Sequence, residues 1–193
     1  MYELPTEIEI GGVEYRIRND GDYRTILDIF SILEDRHLTQ TERIISALIV
    51  FFEDLSSIED LIKIPDMEEA VHKMYDFFNA GKKEGKTVNR KLLDWEEDSA
   101  IIVAAINPIA GKEIRSEEYI HWWTFVSYYM AIGESTLSTV VSIRSKIVNG
   151  KPLEKWERKF RMENPQYFEW NSKTVEEEEA ENWVMNIWNQ GGD

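Results

Sequence analysis

Apolar and polar residues alternate over Glu7-Ile8-Glu9-Ile10 and again over Val13-Glu14-Tyr15-Arg16-Ile17. Gly11-Gly12 between the two runs suits a two-residue turn with positive φ, so residues 1–17 are expected to form a β-hairpin. A lone hairpin is marginal in water, and its apolar side (Ile8, Ile10, Val13, Tyr15, Ile17) must dock on something. After Asp20-Gly21-Asp22 the period turns helical, with Tyr23, Ile26, Leu27, Phe30 and Leu33 on one stripe and Asp22 as the expected N-cap. Thr39 and Glu42 have capping-box spacing for a second helix, running to about Glu53. A short helix is expected from Ser57 to Ile62. Another, from Pro65-Asp66, carries Ala70, Val71, Met74, Tyr75 and Phe78 and ends at Gly81.

Residues 81–87 are glycine-rich and basic and read as a mobile loop. Beyond it, Asp94 and Glu97 predict a helix through Trp95, Ile101 and Ile106 that ends at Asn107-Pro108. Ser116 opens the most apolar helix, Tyr119 to Ile132. Ser135 opens one that ends at Asn149-Gly150, and Pro152 begins a last one through Trp156 to Met162. The fold class is therefore mainly α: a compact multi-helix body over residues 1–165, an N-terminal β-hairpin, and an acidic, aromatic-containing tail over 166–193.

Composition narrows the function classes. Hydrophobic residues make up 42% of the 193, enough for a real core. Acidic residues number 37 against 22 basic, a net charge of −15, which disfavours general binding to a nucleic-acid backbone. Cysteine is absent, so disulfides, thiol catalysis and Cys-ligated metals are excluded. The apolar runs Ile44–Phe52 and Ala100–Ile106 fall far short of the roughly 20 residues of a membrane span. The opening Met1-Tyr2-Glu3-Leu4-Pro5 lacks the pattern of an export signal, and a soluble, cytoplasmic protein is expected.

Candidate chemistry is sparse. His37, His72 and His121 have no metal-ligand spacing, and no nucleophile-elbow, P-loop or dinucleotide motif occurs. No enzyme, metal or cofactor is expected, and His121 reads as a packed core residue of an aromatic helix with Trp122, Trp123 and Phe125. Asp98 and Arg144 stand where their stripes call for apolar residues. Unpaired burial of either costs several kcal/mol, so they either pair inside the body or reach solvent where the stripes end.

Seven basic residues crowd positions 144–161, among them Lys155, Arg158 and Lys159. They read as ordinary surface charge or as a dock for an acidic segment, and Glu176–Glu179 with Glu181 make this chain's own acidic segment a candidate. The last twenty residues carry six acids and no base, yet Ala180, Trp183, Val184, Ile187 and Trp188 form a helical apolar stripe. Burying four such side chains gains roughly 6–12 kcal/mol gross. Ordering about 15 residues costs roughly 15–30 kcal/mol. The tail helix is thus expected to form against a groove of its own body, a second copy or a partner.

The stretch Asp94 to Met162 resembles the tail assembly chaperones of tailed phages (siphophages) and prophages of Gram-positive bacteria, encoded near the tape measure gene. The resemblance rests on Asp98 with Ile101-Ile102 and Ala105-Ile106, on Tyr119-Ile120-His121-Trp122-Trp123-Thr124-Phe125, and on Ile143-Arg144. Weaker similarity reaches the first helices through Phe51-Phe52. It implies a non-enzymatic helper that keeps the tape measure protein soluble and recruits the major tail tube protein, with self-association plausible. Two alternatives stay open: a structural tail or head-completion protein retained in the virion, and a nucleic-acid accessory protein using residues 144–161.

Overall fold

Gly11 and Gly12 adopt φ of +56° and +81° and close the two-residue turn. The strands β1 (Glu7–Ile10) and β2 (Val13–Arg16) pair antiparallel, with Ile8 opposite Tyr15 and Ile10 opposite Val13. The computed structural model describes residues 3–80 and 92–169, and over them the protein is mainly helical, with this hairpin at the N-terminal end. Ile10, Tyr15 and Ile17 are buried, the Tyr15 ring standing edge-on to Phe52 at 5.7 Å. Val13 remains exposed, so the hairpin's apolar side is covered only in part. The turn itself is anchored: Gly11 N–H donates to Glu69 Oε2 at 2.9 Å, and a Cβ on Gly11 would stand 2.7 Å from Pro65 Cβ.

Contacts divide the chain into two units. The first holds residues 3–80 and the segment Glu117–Ser127; the second holds 92–116 and 128–169. In the first, helices α1 (Tyr23–Glu34), α2 (Gln40–Phe51), α3 (Ile58–Leu61) and α4 (Met67–Phe78) surround a core of Ile26, Ile29, Leu48, Phe51, Phe52, Met74 and Phe77. Their starts follow local chemistry. Asp22 caps α1 by accepting from Arg24 N–H, Thr39 and Glu42 form the reciprocal box on α2, and Asp66 accepts from Glu69 N–H on α4. Arg18 closes the other end of α2. Its guanidinium donates at 2.8–3.1 Å to the carbonyls of Ile49 and Val50, in the last turn where intrahelical partners run out, and to those of Phe52 and Leu55 just beyond the helix.

In the second unit, α5 (Ser99–Ala110) packs on α7 (Thr136–Val148), burying Ile101, Ile102, Ile106, Leu137, Val140 and Ile143. α8 (Lys155–Glu163) follows, and a 3-10 turn over Pro165–Tyr167 ends the described chain. Helix α6 (Trp122–Met130) begins in the first unit and ends in the second.

Four expected boundaries move. Asp94 caps a turn, accepting from Glu96 and Glu97 N–H, and α5 starts only after Asp98. α5 also continues through Pro108 to a left-handed Gly111, because a proline in the last turn forfeits a single backbone bond. α6 starts at Trp122 rather than near Ser116, since the non-helical residues 117–121 bond back to the start of α1, with a bridge between Asp22 and His121. α8 starts at Lys155 rather than Pro152, because Glu154 and Glu157 make the capping box. The body also passes residue 165: Phe168 packs its ring 6.3 Å from that of Phe160. The basic loop at 81–87 and the acidic tail helix lie outside the described residues.

Candidate functional site

The aromatic helix is built around helix ends. Tyr23 N–H donates to the Ile120 carbonyl, while Ile120 N–H donates to Asp22 Oδ2, both at 2.9 Å. Arg24 adds a bond to the Glu117 carbonyl and pairs with Asp22 at 3.1 Å. These contacts hold residues 117–121 beside the start of α1. His121, buried, then serves as the cap of α6. Its Nδ1 accepts from Trp123 N–H at 3.0 Å, so the ring proton sits on Nε2 and is donated to the Pro5 carbonyl, also at 3.0 Å. The paired tryptophans act on a different helix. Trp122 Nε1 donates to the Phe78 carbonyl at 2.8 Å and Trp123 Nε1 to the Phe77 carbonyl at 2.9 Å, adding side-chain donors at the C-terminal end of α4, where Phe77 also accepts from Ala80 N–H. Phe125 stacks on Tyr23 at 4.6 Å and on Trp122 at 5.6 Å.

Burial pushes the His121 pKa below its ordinary 6.5, against smaller opposing pulls from the Pro5 carbonyl and the Asp20 charge. Protonation also places N–H opposite Trp123 N–H and a positive charge at a helix N-terminus. A group whose folded pKa is depressed in this way binds its proton more readily when unfolded. Its stabilising contribution is therefore full above pH 6.5 and is lost as pH falls toward the lower folded value. Urea midpoints are expected to decline as the solution is acidified from pH 7.5 through 6. His121→Asn, which retains a capping acceptor, should flatten that decline.

Asp98 and Arg144 meet in the second unit. The pair is bidentate, Nη1 to Oδ2 at 2.5 Å and Nη2 to Oδ1 at 2.9 Å, with both side chains at most 2% exposed. Two further donors are used as well: Arg144 Nε bonds the Tyr167 carbonyl at 2.9 Å and Nη1 the Leu92 carbonyl at 3.0 Å. Asp98 Oδ2 in turn accepts from Asp94 N–H at 2.9 Å. One guanidinium thus joins the entry to α5, helix α7 and the turn after α8. Both charges are compensated, which is the condition for burying them.

The basic stretch separates into two parts. Lys146 points inward onto buried Glu157 at 2.6 Å, an interaction that raises the lysine pKa and lowers that of Glu157. With Arg144 also committed, the outward cations are Lys151 and, on α8, Lys155, Arg158, Lys159 and Arg161. Trp183, Val184, Ile187 and Trp188, the expected partner-binding stripe, lie outside the described residues.

Sequence reasoning found Asp22 as the cap of α1 but missed its second bond, to Ile120 N–H, and missed Arg18 and the Lys146–Glu157 pair as organising groups. Each acts on atoms far away in the chain, and no local spacing announces them. Among the described residues no group of three His, Asp or Glu side chains converges in a way that could hold a metal ion, and no helix is long and apolar enough to cross a membrane.

The family model described as "Bacteriophage Gp15 protein" matches residues 1–167. No curated protein and no solved structure matches the chain.

Proposed function

The chain belongs to the Bacteriophage Gp15 protein family, and from that premise we propose that it is a non-enzymatic tail assembly chaperone that works in the host cytoplasm, holding the tape measure protein soluble. The observation that carries this reading is how the side chains divide their work. The polar residues with any claim to chemistry, His121, Asp98 and Arg144, have their hydrogen-bonding groups committed to the fold. Large apolar side chains meanwhile face solvent: Ile62 and Met162 are 81% exposed, Ile58 and Met130 61%, and Trp156 53%. Such surface suits contact with an apolar helical client, and a net charge of −15 keeps the complex dispersed.

The test is co-expression with a tape measure protein of the same phage. The soluble fraction of the client should rise several-fold over expression alone, and Ile62→Asp with Met162→Asp should reduce the gain without unfolding the chain. An unchanged client fraction refutes the chaperone reading. Recovery of the chain from finished particles in stoichiometric amount favours a structural tail or head-completion role instead.

A further inference from the structure

We propose that the outward face of α8 is a dock for the chain's own acidic segment, residues 176–181, held within the same molecule. Among the described residues, Lys155, Arg158 and Arg161 are exposed and enter no ion pair. Lys159 has only the exposed Glu163 at 3.7 Å, an i, i+4 contact of small worth. Glu157, the acid in the middle of the helix, is turned inward on Lys146 and does not offset this face. α8 therefore presents a local excess of positive charge on a protein of net charge −15, with Trp156 and Met162 exposed among the cations. A nucleic-acid backbone would meet the repulsion of the whole molecule, whereas a short acidic peptide with apolar residues after it matches both features.

The chain exit selects which acidic peptide. The Tyr167 carbonyl is fixed on Arg144 and the Phe168 ring lies against Phe160 of α8, so the chain leaves the structure alongside this helix. Residues 170–193 lie beyond the exit, and Glu176–Glu179 with Glu181 follow it closely. Seven residues from Glu169 to Glu176 reach about 23 Å when extended. Nine helical residues span only about 14 Å, so every cation of α8 is within the tether. A short tether gives an effective concentration in the millimolar range, far above that of a second copy in dilute solution. Exposed ion pairs are individually weak, and this concentration makes a set of them sufficient to populate the contact.

The full chain, without any client, tests this directly, so failure here leaves the chaperone reading untouched. A carbodiimide joins carboxylates to lysine amines at contact. Applied to a dilute mixture of ¹⁴N- and ¹⁵N-labelled chains, it should link Lys155 or Lys159 to the 176–181 peptide, with both ends carrying the same isotope. The link between Lys63 and Asp60, an accessible pair 2.7 Å apart, serves as the reference. The double variant Arg158→Glu/Arg161→Glu leaves both reactive lysines in place and should lower the tail link several-fold while sparing the reference. Absence of the tail link while the reference forms overturns the proposal. So does a product dominated by mixed-isotope links, which assigns the contact to a sister copy, or a yield that the charge reversal does not change.

Discussion

Arg144→Met is expected to lower folding stability by about 3–5 kcal/mol, because it strands the Asp98 carboxylate in a site at most 2% exposed. It also leaves the carbonyls of Leu92 and Tyr167 without their donor. Asp98→Asn strands the guanidinium instead and should cost a similar amount. Removing both charges together leaves neither uncompensated. Asp98→Asn/Arg144→Met should therefore be clearly less destabilised than the sum of its single changes, a coupling of about 1–3 kcal/mol in a double-mutant cycle. The two carbonyls stay unpartnered, so recovery is incomplete. Urea titration gives the magnitudes. Amide exchange gives the location: protection should fall first in α5 and α7, which Asp98 and Arg144 tie together. Equal and additive losses would show that the two groups do not act as a pair.

Gly21→Ala is expected to cost about 2–4 kcal/mol, from two independent causes. The residue sits at φ +76°, a left-handed conformation that charges an L side chain roughly 1–2 kcal/mol. An added Cβ would also stand 2.7 Å from Phe77 Cζ and 3.2 Å from His121 Nε2, an overpacking that typically costs 1–3 kcal/mol. The two residues before it, Asn19 and Asp20, are left-handed too, at φ of 51° each, so the turn has little freedom to relax. Asn19 stabilises it through Thr25 Oγ1 at 3.0 Å, and Tyr119 Oη donates to the Asp20 carbonyl at the same distance. The variant should lose near-ultraviolet aromatic signal as the Phe77–His121–Trp123 cluster shifts. Gly12→Ala is the control: φ is +81° but nothing lies within 4 Å of the added methyl, so the loss should be confined to the backbone strain.

What the sequence discloses here is local chemistry. The Gly11-Gly12 turn, the Thr39–Glu42 box, the Asp66 cap and the Ser135 start of α7 are all readable, because each joins residues two to five apart. Where α6 begins is not readable. Ser116 has the composition of a cap, yet Asp22, some hundred residues earlier, holds the intervening backbone out of the helix and leaves His121 to cap it. The same holds for Trp122-Trp123, whose spacing marks a motif but not its task of closing α4. Asp98 and Arg144 stand out as charges on apolar stripes. The carbonyls of Leu92 and Tyr167 that complete their site leave no trace in residue type.

The central claim is that this protein acts by lending apolar surface to another polypeptide. It is tested most directly by purifying the tagged full chain after co-expression with the proposed client, a tape measure protein of the same phage, and measuring the mass of the eluted species by light scattering. The expected result is one soluble particle containing both chains, in a fixed ratio that survives dilution and moderate salt. Elution of this chain alone, with the tape measure protein left in the insoluble fraction, would contradict it.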